Sequence, residues 1–295
     1  MLTLPHRNGL AASRLYLPAN VGPTLLDAVV ALYPSVSRAE WQSRFARDLV
    51  LDAEGQRLAA DAPSREGMLL RYYREVPAEA LIPFTETVLH QDAHLLVADK
   101  PHFLPVTPSG GYVEETLLAR LARRLDHAQL VPLHRIDRGT AGLVLFSTNP
   151  ASRGAYQALF RDRRISKRYE ALAPPLPDVE FPLIRKTRLV EGEPFFRMCE
   201  AEGAPNTETR IEVIERGSML WRYALTPVTG KKHQLRVHLA ALGAGIQHDD
   251  FYPVVQARDD GDFSRPLQLL AQGLAFTDPL TGEARAFASQ RSLSM

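Results

Sequence analysis

Residues 139–146 read Gly-Thr-Ala-Gly-Leu-Val-Leu-Phe, and they follow the densely charged stretch His134-Arg135-Ile136-Asp137-Arg138. The apolar run from Leu143 to Phe146 reads as a strand buried in a sheet. A turn that delivers a carboxylate to the mouth of such a strand narrows what the chain can be. Asp137 lies between two arginines in sequence, and a nearby positive charge lowers a carboxylate pKa by roughly 1–3 units. It is then either a surface ion pair of little energetic weight or an ionised group poised as a nucleophile or general base.

The chain has 295 residues, enough for one large domain or one large and one small. A hydrophobic share of 45% and a charged share of 23% suit an ordinary globular protein. The net charge of +1 does not mark a nucleic-acid binder, but the local distribution is uneven. Arg153, Arg161, Arg163, Arg164, Lys167 and Arg168 face one acid, Asp162, and residues 216–248 hold five Lys and Arg with no acid. Such runs either neutralise phosphates or form a solvated charged face. Cys199 is the single cysteine, so no intrachain disulfide exists. No apolar run reaches the length of a membrane span, and the first residues lack a basic-then-apolar leader. A cytoplasmic protein is the expectation.

Along the chain, residues 1–21 show no periodicity and read as a loose arm. Leu25–Tyr33 reads as a helix stopped by Pro34, and Ser37-Arg38-Ala39-Glu40 as a capping box opening a second helix to about Arg47. Val50-Leu51 and Met68–Tyr73 read as strands. Residues 77–86, with Pro77 and Pro83, read as a linker, and 87–295 as the main domain. There Val88–His90 and Leu95–Ala98 pair around a polar turn, while 114–127 and 150–161 read as helices. Ile165–Leu172, Thr207–Ile214 and Leu220–Val228 read as strands. His233–Leu242 reads as a helix ended by Gly243. Many strands interrupted by a few helices argue for an α+β fold.

In the last helix Leu235, Leu239 and Leu242 form an apolar stripe, and Arg236 falls at its edge. A guanidinium partly buried there requires an anion. His233 and His238 are five residues apart, about 140° around a helix, which does not match the His pairs at spacing four that bind metals. No metal site is expected.

Three stretches together carry a family resemblance. Residues 134–143 resemble the His-Arg-Leu-Asp-Arg-x-Thr-Ser-Gly-Leu signature of the RluA-type RNA pseudouridine synthases, with Ile136 for Leu and Ala141 for Ser. Thr229-Gly230-Lys231-Lys232-His233-Gln234-Leu235-Arg236-Val237-His238 resembles that family's Thr-Gly-Arg-Thr-His-Gln-Ile-Arg-Val-His. Lys167-Arg168-Tyr169-Glu170-Ala171 resembles its Lys-x-Tyr-x-Ala strand. Asp99-Lys100-Pro101 resembles its Lys-Pro motif, with Phe103 where glycine is customary. Residues 245–252 resemble its Gly-x-Pro-Ile-x-Gly-Asp-x-x-Tyr, with His248 in the place of the second glycine and the proline missing. Leu269-Leu270-Ala271 resembles a Leu-His-Ala segment read as structural. Residues 22–76 resemble a ribosomal-protein-like αL RNA-binding module, with Arg47-Asp48-Leu49 where a glycine usually precedes the first strand.

The resemblance implies a pseudouridine-synthase fold. That is a mixed, mostly antiparallel central sheet flanked by helices, with a small α/β RNA-binding-like domain before it. It implies an isomerase acting on uridines of ribosomal or transfer RNA, with no cofactor and no metal; nothing in the sequence demands an obligate protein partner or more than a monomer. Asp137 would act on a flipped-out uridine, Tyr169 would stack on the base, and Arg236 would hold Asp137 ionised. Arg135 would fill the vacated space. His134, Lys167, Lys231, Lys232 and His233 would contact the RNA. Two rival readings differ in class. One is a non-catalytic RNA-binding or ribosome-assembly factor on the same fold. The other is a hydrolase or metal-dependent nuclease using Asp137 with Asp249 and Asp250.

Overall fold

The computed structural model describes residues 6–76, 79–259 and 261–294. It divides into two compact units: residues up to Glu79 with Ala119–Ala128, and Ala80–Leu118 with Gln129 onwards. One boundary, between Glu79 and Ala80, falls inside the segment 77–86 that reads as a linker, of which Pro77 and Ala78 lie outside the described residues, and two more, on either side of Ala119–Ala128, fall inside the stretch 87–295 that reads as one domain.

The first unit is built on β1 (Ser13–Tyr16), α1 (Leu25–Leu32), α2 (Arg38–Ala46), β2 (Val50–Leu51) and β3 (Leu69–Tyr72). The strands form an antiparallel sheet in the order β1-β3-β2. The α2 capping box is present in full, with Ser37 accepting from Glu40 N–H and Glu40 reaching back to Ser37 N–H. Leu25, Val29, Trp41, Phe45, Val50 and Leu70 make the core. One sequence expectation needs correction here. The arm is not loose throughout, because Ser13–Tyr16 pairs residue for residue with Tyr72–Leu69 and Leu17 is buried; residues 1–5 lie outside the described residues. Arg44, on α2, is buried against the Trp41 ring at 4.7 Å and donates to Glu75 O.

The second unit contains β4 (Thr87–Gln91), β5 (Leu95–Lys100), β6 (Val131–Pro132), β7 (Ala141–Ser147), α4 (Pro150–Arg161), β8 (Ile165–Ala173), β9 (Leu183–Glu191), β10 (Met198–Ala201), β11 (Thr207–Arg216), β12 (Trp221–Pro227), α5 (Gln234–Ala241), β13 (Leu269–Thr277) and β14 (Ala284–Ala288). A helix α3 (Leu117–Arg124) precedes β6. The strands join into one mixed sheet in the order β10-β9-β11-β12-β8-β13-β7-β5-β4, with β14 on β13 and β6 on β7. Every neighbouring pair is antiparallel except β13 and β7. All seven residues of β7 are buried, as its apolar run requires. Gly142 has φ +107, and a Cβ there would collide with the Ala271 carbonyl oxygen and lie 2.8 Å from the Ala271 backbone C and N. Glycine is therefore what lets β7 and β13 run side by side at this point.

α5 lays Leu235 and Leu239 onto Ile211, Tyr223 and Leu225 of the sheet. Fully burying side chains of this size contributes roughly 1.5–3 kcal/mol each, and that packing sets which face of α5 is turned inward. β9 and β10 form a hairpin that no alternation in sequence announced, because β9 is half exposed and carries Arg185, Lys186 and Arg188 among its apolar residues.

Candidate active site

The turn before β7 closes through Thr140 N–H donating to Asp137 O. It is held from beneath. Lys100, at the end of β5 and fully buried, donates to three carbonyls: Pro101 O at 3.0 Å, Leu104 O at 2.7 Å and Arg138 O at 3.1 Å. Burial pulls the Lys100 pKa well down, with Asp137 pulling the other way. His102 Nδ1 lies 2.7 Å from Gly139 O, and burial lowers the His102 pKa to about 4. Two side chains that follow or end β5 therefore fix the carbonyls of Arg138 and Gly139, and with them the carboxylate of Asp137.

The partners of Asp137 are not its sequence neighbours. Arg138 turns away, donating to Phe103 O and Tyr112 Oη and lying over the Tyr112 ring at 4.5 Å. Arg135 is exposed. Arg236, on the inward edge of α5, donates from Nη1 to Asp137 Oδ2 at 3.1 Å. His233 Nε2 stands 3.8 Å from the same oxygen. Burial pushes the Asp137 carboxyl up, but the Arg236 charge, then His233, the Arg236 hydrogen bond and Lys100 outweigh it, and the net shift is downward. A carboxylate so placed stays ionised.

Arg236 in turn is clamped by Asp249, through Nε to Oδ2 at 2.8 Å and Nη2 to Oδ1 at 2.6 Å. Burial works against the guanidinium charge, yet the two carboxylates prevail and its pKa is raised. Asp249 Oδ1 also accepts from Phe251 and Tyr252 N–H. Its side chain is wholly buried and committed to these donors, which removes it from the metal-dependent role that one rival reading gave it. Asp250 pairs with Arg258 at 3.1 Å instead.

His233 is the residue before α5 and has φ +56, a left-handed conformation that a non-glycine residue keeps only when its surroundings enforce it. Tyr252 Oη lies 2.9 Å from His233 Nδ1 and accepts from Met198 N–H at 2.7 Å. A Tyr252 hydroxyl that donates to Nδ1 puts the histidine proton on Nε2, toward Asp137. Burial lowers the His233 pKa to about 4, so it is neutral at pH 7. His238, five residues on, is buried among the Thr187, Thr207 and Thr209 hydroxyls and takes no part in the cleft.

These groups open onto a cleft of about 1170 Å³ in the second unit. Tyr169, on β8, contributes its ring to the lining, and burial followed by the Asp137 charge raises its pKa, so the hydroxyl stays protonated. His134 also lines the cleft but faces inward: its Nε2 accepts from Leu145 N–H at 3.1 Å and its ring stacks on Phe160 at 4.7 Å. Burial, then Lys167, lowers the His134 pKa to about 3. Lys167 donates to Thr229 O, which ties β8 to the Thr229–Lys232 segment. Arg135, Arg163, Lys231 and Lys232 line the cleft with exposed side chains. The lining holds eight Lys and Arg against Asp137, Asp250 and Asp259, so the cleft suits a polyanion.

The site residues implied by the resemblance thus all lie along one cleft, with Asp137 in reach of both Arg236 and His233 and Tyr169 on the same lining. Lys100 and Tyr252 were not among those residues, and Asp249 was named only in the nuclease reading. Lys100 stood visible in the Lys-Pro motif, and Asp249 and Tyr252 in the stretch 245–252, but nothing local said that they clamp the turn and the arginine.

Residues 94–241 match the family described as RNA pseudouridylate synthase. The chain is 33% identical over 209 residues to the dual-specificity RNA pseudouridine synthase RluA of Pasteurella multocida, covering 68% of this chain and 91% of that one. It is 34% identical over 209 residues to the protein of the same name from Escherichia coli O6:H1, covering 68% and 90%. The structure of human RNA Pseudouridylate Synthase Domain Containing 1 shares the fold, with a TM-score of 0.57, 24% identity, and coverage of 72% and 86%. The chain belongs to the RNA pseudouridylate synthases, isomerases that act on RNA, and within them to the RluA type. Among the described residues no helix is long and apolar enough to cross a membrane.

Proposed function

We propose that Asp137 is the catalytic carboxylate of this RNA pseudouridine synthase, acting on a uridine flipped out of ribosomal or transfer RNA. Extrusion of a base costs a few kcal/mol, and phosphate contacts from Lys231, Lys232, Arg163 and Lys167 offset it. Arg135 fills the space the base leaves, and Tyr169 stacks on the uracil. Asp137 acts as nucleophile or as base while the bond from N1 to C1′ breaks. The uracil turns, C5 bonds to C1′, and the C5 proton leaves as N1 gains one, so no atom is added or lost overall. Arg236 keeps Asp137 ionised and aimed, and His233 and His134 hold the lining in shape.

The observation that carries this reading is one ionised carboxylate, anchored by Arg236, in a cleft rich in exposed cations. RNA binding is assigned to that cleft rather than to the first unit, where Arg38 pairs with Asp27 and Arg47 with Glu75. The protein is read as a cytoplasmic monomer. The test is a transcriptome-wide pseudouridine map of the native host with the gene intact, deleted, and replaced by Asp137→Asn. The same one or few sites should vanish in both altered strains. Sites that persist with Asp137→Asn and vanish on deletion would overturn the role of Asp137. Bound RNA with no site lost in either strain would favour a binding factor.

A further inference from the structure

The hairpin between β9 and β10 ends in a turn closed by Arg197 N–H donating to Pro194 O at 2.8 Å, with Phe195 and Phe196 as its central residues. Such positions ordinarily hold Gly, Asn, Asp or Ser. Phe195 is 82% exposed. Its ring meets Phe196 edge-on at 5.6 Å, Phe196 meets Phe251 at 5.0 Å, and Phe251 lies 5.7 Å from His233 and under the Arg236 guanidinium at 4.9 Å. A file of aromatic rings thus runs from solvent to the guanidinium that holds Asp137, and Phe196 and Phe251 are both part of the cleft lining. The tip is also braced. Arg197 lies over the Tyr252 ring at 4.8 Å and donates to Pro253 O at 2.8 Å, and Met198 N–H donates to Tyr252 Oη. An exposed phenylalanine, backed by a half-buried one, therefore stands beside a cationic cleft on a braced hairpin.

We propose that Phe195, backed by Phe196, is a stacking platform for an unpaired base of the substrate RNA next to the target uridine. The inference rests on the reading of the cleft as the RNA site. RNA outside helices is recognised largely by splaying bases onto aromatic side chains, and such stacking is tolerant of sequence. An RNA strand is the occupant because the platform is continuous with the cleft, whose exposed Lys231, Lys232, Arg163 and Arg135 would hold the phosphates on either side.

The test measures binding of a fluorescently labelled single-stranded oligouridylate to the full chain, over a range of salt concentrations. Phe195→Ala should raise Kd roughly 5- to 100-fold, the range of one base stack. Because no phosphate contact is lost, the dependence of log Kd on log salt should stay as in the wild type. Phe195→Trp should bind at least as tightly as the wild type. Phe195→Leu, which keeps apolar area and removes the ring, should bind as weakly as alanine. A wild-type protein that does not bind the oligouridylate, alanine and leucine variants that bind like the wild type, or a leucine variant alone that does so, would each overturn the platform. Pseudouridine formation on host RNA by wild type and by Asp137→Asn separates this from the catalytic reading. Normal turnover with indifferent Phe195 variants overturns only the platform, and turnover by Asp137→Asn overturns the role of Asp137.

Discussion

Arg236 binds Asp249 through Nε and Nη2 at 2.8 and 2.6 Å and presents Nη1 to Asp137 at 3.1 Å. One carboxylate holds the arginine, and the arginine holds the other. Asp249 is wholly buried, whereas the Asp137 side chain keeps 29% of its surface open, so Asp249 serves as anchor and Asp137 is left facing the cleft.

Replacing the anchor should cost both stability and rate. Asp249→Asn removes the charge facing a guanidinium that is 6% exposed, and breaking a buried pair from one side costs about 3–5 kcal/mol. Urea denaturation should show that loss, and kcat should fall because Nη1 is no longer aimed. Unchanged stability together with unchanged kcat would contradict the clamp.

Removing the arginine should move the acid side of the pH profile. The Asp137 pKa in the fold lies below its ordinary value, so the carboxylate is fully ionised at neutral pH and activity fades only as pH falls through the lowered pKa. In Arg236→Ala the upward push of burial is left without its largest opponent, and the acid limb should move up toward and beyond the ordinary Asp value of about 3.9. A pH–rate profile with an unmoved acid limb would count against the pairing.

Acid should destabilise the protein before the carboxylates titrate. His238 is held neutral among three threonine hydroxyls, with a pKa lowered by burial to about 4 from 6.5. Between those values the unfolded chain takes up a proton that the folded chain refuses. The stability this gives is complete above pH 6.5 and is lost as pH falls toward 4, by up to about 1.4 kcal/mol per pH unit for this one group. His102, His134 and His233 act in the same direction. The fall in stability from pH 7 to pH 5 should be smaller in His238→Gln than in the wild type, and an equal fall would refute it.

Two glycines should respond oppositely to alanine. Gly142→Ala faces the Ala271 backbone at φ +107 and should cost about 1–3 kcal/mol from the backbone alone, with the collision added. Gly154, inside α4 with open space around its missing side chain, should gain roughly 0.5–1 kcal/mol. Thermal melts of the two variants check both signs.

Much of this architecture is legible in the amino-acid sequence. The apolar run after Asp137 marks the central strand β7, Ser37 and Glu40 mark the start of α2, and Lys167 with Tyr169 marks β8. Chain adjacency misleads where side chains leave the backbone in different directions. Asp137 has arginines two positions before it and one after, yet its partner lies 99 residues away. The β9–β10 hairpin is hidden because its strands are half exposed and its turn is built from phenylalanines. The three places where a customary glycine is missing, Asp48, Phe103 and His248, all keep a left-handed backbone, with φ +58, +67 and +61. The conformation persists there without the residue type that usually signals it, at a cost of order 1–3 kcal/mol each. At Phe103 the ring lies beneath the Arg258 guanidinium at 5.0 Å and packs on Phe84 and Phe263, contacts that a glycine would lack.

All that is proposed for the cleft depends on the Asp137 carboxylate performing the chemistry. The most direct measurement incubates purified wild type and Asp137→Asn with RNA from a host lacking the gene and counts pseudouridine formed at each site. Asp137→Asn keeps the size of the side chain and loses its charge. It should fold, bind RNA with wild-type affinity to within a few-fold, and form no pseudouridine. Product from the folded variant at a rate near that of the wild type would contradict the account.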